Sequence, residues 1–104
     1  MSVLVEFAIF PTDKTESKSK YVAKALDIID KSGLDYQLTP MGTIIEANTL
    51  QEIFKVIDDA YMVLKQDSSR VYSVIKIDYR DGELGRLHKK KHSVEQKLGR
   101  KLNG

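Results

Sequence analysis

The segment Tyr36–Glu46 constrains the fold more than any other part of the chain. Three turn residues, Pro40-Met41-Gly42, separate two short runs in which apolar residues alternate with polar ones. Tyr36 and Leu38 fall on one face of the first run, and the second run alternates in the same way. Two strands joined by so tight a turn pair with each other, so the segment is predicted to be a β-hairpin.

Strand and helix periodicities flank this hairpin on both sides. Residues 1–10 alternate and predict a first strand. A helical stripe follows, with Thr15 or Ser17 as its cap and Gly33 just past its end. Thr49 to Glu52 form a capping box that opens a second helix running to about residue 66, and residues 70–80 alternate as a fourth strand.

This order predicts a ferredoxin-like α+β fold, the split βαβ arrangement βαββαβ. The right-handed crossover rule gives a four-stranded antiparallel sheet of order 4-1-3-2 with two helices on one face. The first and third strands are then central, and we expect those two to run parallel. Residues 1–81 form the predicted domain, and residues 82–104 a basic C-terminal helical tail whose thin apolar spacing begins at Leu84.

The alternation also assigns residues to the two faces of the sheet. The face under the helices is predicted to carry Val3, Val5, Phe7, Ile9, Ile45, Ile75 and Ile77. The open face mixes apolar and charged groups: Leu4, Glu6, Ala8, Phe10, Gln37, Thr39, Ile44, Glu46, Tyr72, Val74, Lys76 and Asp78. Such a face is too apolar to remain exposed to solvent, so we expect copies of the chain to pack on it or to pair their edge strands.

Two carboxylates on the open face receive different interpretations. Glu6 is predicted to pair with Lys76 across the strands, as opposite charges in sheets commonly do. Glu46 has no such cation in this register. A half-buried carboxylate without a partner is a candidate for binding a ligand, although a water or a Lys from another subunit would serve equally well.

Composition narrows the possible classes of protein. The 104 residues fit one domain and contain no cysteine, which excludes disulfides and thiolate metal sites. No run approaches the about 18 apolar residues of a membrane span, and the N-terminus lacks a secretory signal, so we expect a cytoplasmic protein. The net charge of +2 is uneven, because residues 80–104 hold eight basic and three acidic residues while the first 79 hold nine and twelve.

Other functional classes find little support. His88 and His92 lie four residues apart, but two ligands separated by lysines predict a solvated helix face rather than a metal site. The three consecutive lysines Lys89–Lys91 could bind a nucleic acid. However, the rest of the chain is acidic and lacks an RNA-recognition signature. With no cysteine nucleophile, serine elbow or phosphate loop, neither enzyme activity nor a cofactor is expected.

Three separated segments, residues 17–22, 36–46 and 70–80, together resemble the thiamine-binding protein family, and in particular a fungal member. Proteins of that family are small and ferredoxin-like. The resemblance implies a homotetramer built as a dimer of dimers, which binds thiamine or its aminopyrimidine moiety at a subunit interface without turnover. The ligand-binding residues that it implies are Ser17, Ser19, Met41, Gly42, Thr43, Glu46, Lys76 and Asp78.

Each of these residues also has a structural interpretation. Serines at a helix start commonly act as caps, and Gly42 suits the backbone of the turn. Met41 suits a gap in an interface. The alternative function is therefore a ligand-free oligomeric scaffold that uses the open sheet face only for assembly.

Overall fold

The computed structural model describes residues 1–13 and 19–103, and its four strands form a single antiparallel sheet of order β2-β3-β1-β4. Read from the other edge this is the order 4-1-3-2, so the predicted ferredoxin-like α+β fold is confirmed. The cap positions Thr15 and Ser17 lie outside the described residues. The elements are β1 (Ser2–Pro11), α1 (Ser19–Lys31), β2 (Asp35–Thr39), β3 (Gly42–Ala47), α2 (Leu50–Leu64), β4 (Val71–Arg80) and α3 (Arg86–Leu98).

The two central strands, β1 and β3, run antiparallel, with Val5 opposite Ile45. The expectation that they are parallel was wrong. The helical crossover through α1 leaves β2 parallel to β1, and the hairpin turn then reverses β3 relative to β2. The ladders of β1 with β4 and of β2 with β3 are antiparallel as well.

The hydrophobic core lies between the sheet and the helices α1 and α2. The predicted capping box starts α2, because the Thr49 hydroxyl accepts from the Glu52 amide at 3.2 Å and the Glu52 carboxylate accepts from the Thr49 amide at 3.1 Å. The buried apolar residues are Val3, Val5, Phe7, Ile9, Tyr21, Ala25, Ile29, Ile45, Ala47, Ile53, Val56, Ile57, Ala60 and Leu64. Burial of this set is the main stabilising contribution.

Strand β4 lies only partly under the helices. Ile75 and Ile77 sit opposite Phe7 and Val5 on the predicted face, yet they are 37% and 46% exposed. Their predicted burial was wrong because β4 is an edge strand, and α2 reaches only its beginning, where the Tyr61 hydroxyl hydrogen-bonds Ser73. The alternation therefore identified the face correctly without showing how far the helices extend over it.

Candidate functional site

A cleft opens where the tip of the β2–β3 hairpin meets α1 and the end of β1. Its volume is about 240 Å³. The cleft exists because β1 continues for several residues beyond Phe7, where its pairing with β3 ends. The lining residues come from all three elements and carry no charged side chain: Phe7, Ala8, Ile9, Phe10, Val22, Ala25, Leu26, Ile29, Leu38, Thr39, Pro40, Met41, Gly42 and Thr43.

The hairpin turn forms one wall of this cleft. The Thr39 hydroxyl donates to the Gly42 carbonyl at 2.8 Å and accepts from the Met41 amide at 3.2 Å, which closes the turn. Gly42 has φ +153°, and a Cβ there would lie 3.0 Å from the Phe7 carbonyl oxygen. Glycine is therefore required for the backbone to approach β1 this closely. Met41 is 82% exposed at the rim.

Thr43 is the polar side chain at the base of the cleft. It lies on the helix-facing side of β3, opposite Phe7, and is 6% exposed. Among the described residues its hydroxyl has no hydrogen-bond partner. A hydroxyl can both donate and accept a hydrogen bond, so Thr43 offers the cleft a donor and an acceptor in an apolar setting.

Glu46 lies on the open face and outside this cleft, and its side chain is already occupied. One carboxylate oxygen accepts from the Ser2 hydroxyl at 2.6 Å and from the amides of Gly85 and Arg86 at 3.0 and 3.1 Å. The other accepts from the Leu87 amide at 3.2 Å. Glu46 therefore caps α3 from a distant strand, and α3 fills the position where the sequence predicted a ligand or another subunit.

The environment of Glu46 keeps it ionised. Burial alone would raise its pKa, but the hydrogen bonds from Ser2 and from the three backbone amides outweigh that effect, so the pKa lies below its ordinary value of 4.5. The cap at the helix start, Gly85, supplies no side-chain hydrogen bond. The carboxylate of Glu46 thus satisfies donors that would otherwise be orphaned.

Arg86 completes this network on the open face. Its Nε donates to the Ser2 hydroxyl at 3.0 Å and one terminal nitrogen donates to Asp78 Oδ2 at 2.9 Å. The other terminal nitrogen donates to the carbonyls of Ser2 and Asp78 at 2.9 and 2.8 Å. Asp78, one of the residues assigned to ligand binding from the sequence, here anchors the start of α3.

The structure brings together only part of the predicted ligand set. Met41, Gly42 and Thr43 line the cleft, whereas Glu46, Lys76 and Asp78 lie on the open face. Lys76 forms the predicted ion pair with Glu6 at 3.7 Å. Ser19 is the first residue of α1 but does not line the cleft, and Ser17 falls outside the described residues. The ligand-binding role of all eight residues stays a prediction.

Several residues of the cleft and of the Glu46 network were not predicted from the sequence. Phe10, Val22 and Leu26 line the cleft, but their apolar character alone does not distinguish them from core residues. Two observations in the sequence together indicated the Glu46 network. Glu46 had no predicted cationic partner, and the residues just before α3 include no Ser, Thr, Asp or Asn at the cap position. Matching the unpaired carboxylate of Glu46 with the uncapped amides of α3 would have predicted the contact between them.

The described residues contain no group of three or more His, Cys, Asp or Glu side chains able to hold a metal ion. His88 instead contacts Asp35 at 3.2 Å, and His92 contacts Gln96 at 3.0 Å. In the same part of the chain, no helix has the length and apolar character needed to cross a membrane.

Fold and cleft together define a small ferredoxin-like protein in which described residues without charged side chains line a cleft at the hairpin. The model of a family described as thiamine-binding protein matches residues 5–95. The chain belongs to the thiamine-binding protein family. This membership supports a small-molecule binding role.

Named relatives span nearly the whole chain. The UPF0045 protein Mb1933 of Mycobacterium bovis is 35% identical over 98 residues, which cover 94% of this chain and 96% of the relative. The UPF0045 protein MJ1052 of Methanocaldococcus jannaschii is 36% identical over 96 residues, covering 92% and 88%. These relatives are bacterial and archaeal, so the expectation of a fungal member is not supported.

Solved structures show the same fold. The crystal structure of MJ1052 superposes with a TM-score of 0.78 at 38% identity, covering 90% of this chain and 97% of that one. A candidate thiamine biosynthesis/salvage protein from Thermotoga maritima gives a TM-score of 0.72 at 21% identity, covering 95% and 97%. At that identity the likeness concerns the fold alone.

Proposed function

We propose that this protein binds thiamine, or a related aminopyrimidine, in the cleft between the β2–β3 hairpin and α1, and that it does so without turnover. The observation that carries the proposal is the Thr43 hydroxyl at the base of an otherwise apolar cleft, which has no hydrogen-bond partner among the described residues. It lies beside Met41 and Gly42, which the family resemblance assigns to ligand binding, and membership of the thiamine-binding family supports the ligand class.

The chemistry of the cleft suits a flat ring with hydrogen-bonding edges. Apolar and aromatic walls favour the ring faces, and the Thr43 hydroxyl can both donate to a ring nitrogen and accept from an amino group. A volume of about 240 Å³ accommodates one substituted ring rather than a larger ligand. The cationic thiazolium would remain at the rim of the cleft, where it stays in contact with water.

The second half of the proposal is a cytoplasmic homotetramer, assembled as a dimer of dimers, with the ligand held at a subunit interface. Leu38 and Met41 at the rim are 52% and 82% exposed, which is an apolar surface that another subunit would cover. A partner there would also close the cleft over its ligand.

Titration calorimetry with thiamine, its pyrimidine alcohol and its diphosphate tests the ligand. We expect heat with thiamine and with the pyrimidine alcohol, since both carry the aminopyrimidine. Thr43→Val replaces the hydroxyl with a methyl group of similar size and should weaken binding roughly fivefold, the effect of one neutral hydrogen bond. The same change should leave the stability of the ligand-free protein unaltered or raised, because it removes an unpaired polar group.

Thr49→Val is the matched control. It removes the cap of α2, so it should lower the free energy of unfolding by about 1 kcal/mol while leaving ligand affinity unchanged. No heat with any of the three ligands at high protein concentration would reject the binding function. That result would favour the second candidate, a ligand-free scaffold, which the exposed apolar residues of β4 support.

A further inference from the structure

A groove on the open face, between α3 and the end of β4, concentrates positive charge. Its volume is about 480 Å³. It is separate from the hairpin cleft, with which it shares no lining residue. The groove is lined by Leu4, Asp78, Arg80, Arg86, Lys89, Lys90 and Ser93.

The helical period explains why these side chains meet. Arg86, Lys89, Lys90 and Ser93 follow the spacing i, i+3, i+4, i+7 and so share one face of α3. Strand β4 contributes Asp78 and Arg80, which are two residues apart and therefore on one face of the sheet. The hydrogen bonds of Arg86 to Ser2 and Asp78 hold the two elements side by side.

The positive charges in the groove are not balanced. Asp78 pairs with Arg86 at 2.9 Å. The Arg86 side chain is 13% exposed, and its nitrogens donate hydrogen bonds to Asp78 and Ser2. The side chains of Arg80, Lys89 and Lys90 make no ion pair or hydrogen bond with any described residue. Three like charges around one groove repel one another, and a bound anion would relieve that repulsion.

We propose that this groove binds a phosphorylated small molecule that carries at least two negative charges. Arg80 presents a planar fork suited to phosphate oxygens, the two lysines add point charges, and the Ser93 hydroxyl adds a neutral donor. The alternative of a nucleic acid is less well matched. A polymer requires a basic surface that extends beyond one groove, whereas residues 1–79 hold more acidic than basic side chains.

Inorganic pyrophosphate, titrated by calorimetry into the full chain at low salt, tests the site. The variant K89Q/K90Q should bind pyrophosphate at least about tenfold more weakly, because it loses two charge-assisted hydrogen bonds. The control K65Q/K91Q removes the same charge from two exposed lysines that do not line the groove, and it should bind like the unmodified protein. Thr43→Val should also leave pyrophosphate binding unchanged, which separates this site from the thiamine proposal.

Three results would overturn the proposal. The first is the absence of pyrophosphate binding at millimolar concentration. The second is an equal loss of affinity in both double variants, which would indicate diffuse electrostatic attraction. The third is that single-stranded oligonucleotides bind more tightly than pyrophosphate, with an affinity that grows with their length. That result would identify a nucleic-acid surface.

Discussion

At the scale of single residues, Glu46 links two regions that are distant in the sequence. It lies on β3, is 3% exposed, and accepts four hydrogen bonds, three of them from the amides of the cap residue Gly85 and of Arg86 and Leu87 at the start of α3. A carboxylate buried in this way stabilises the fold only while it is ionised and its donors are in place.

The pKa of Glu46 predicts how stability depends on pH. Since the folded state holds the pKa below its ordinary value of 4.5, the contribution of Glu46 is complete above that pH and is lost as the pH falls through the folded-state pKa. Glu46→Gln should cost about 2–3 kcal/mol at pH 7, because an amide presents one acceptor to several donors. Urea denaturation of both proteins from pH 7 to pH 3 should show that difference shrinking.

Glu6→Gln provides the comparison for this experiment. Glu6 is more exposed and pairs with Lys76 at 3.7 Å, so its loss should change the free energy of unfolding by less than about 0.5 kcal/mol. A Glu46→Gln protein as stable as the unmodified one at pH 7 would show that the Glu46 network contributes nothing net.

At the scale of elements, the position of α3 is the feature that the sequence left open. The strand order followed from two periodicities and the crossover rule, which are local signals. Where a helix docks depends instead on contacts between distant residues, and α3 has few apolar side chains to direct it. Val94 and Leu98 are in fact exposed, and polar groups of Glu46, Ser2 and Arg86 fix the start of the helix.

The difference between local signals and long-range contacts also explains what was predicted of the candidate site. The hairpin signal located Met41, Gly42 and Thr43 correctly beside one another, because the turn itself determines their neighbourhood. Glu46 belongs to the same hairpin segment, yet it points to the opposite face from Thr43, as a three-residue offset along a strand requires. Proximity in sequence thus placed Glu46 near the cleft without placing its carboxylate in it.

Removal of residues 82–104 tests the predicted domain boundary. Far-UV circular dichroism should show that the sheet, α1 and α2 persist, while the free energy of unfolding falls by several kcal/mol because Glu46 loses three of its four donors. In the truncated chain Glu46→Leu should restore part of that loss, whereas in the full chain it should be destabilising.

A shorter truncation, of residues 100–104, controls for chain length because it leaves α3 intact. This shorter truncation should change the free energy of unfolding very little. Loss of all secondary structure in the longer truncation would mean that the domain includes α3 and that the boundary after residue 81 is wrong.

At the scale of the whole molecule, β4 is the surface most suited to self-association. It is a ten-residue edge strand, and on its two faces Val74, Ile77 and Tyr79 are 43%, 46% and 55% exposed. A long edge strand with unpaired backbone groups and apolar side chains is a template for pairing with a second chain. This surface is where we expect the dimer contact of the proposed tetramer.

Ile77→Lys should therefore dissociate the assembly, since it buries a charge at the expected contact while costing an isolated subunit little at an exposed position. Sedimentation equilibrium at several protein concentrations measures the change. The control is Met62→Lys, an equally exposed apolar residue on α2, at 48%. We expect the Met62 variant to keep the full assembly. Dissociation by Met62→Lys but not by Ile77→Lys would place the contact on the helical face, and a monomeric unmodified protein would refute the assembly altogether.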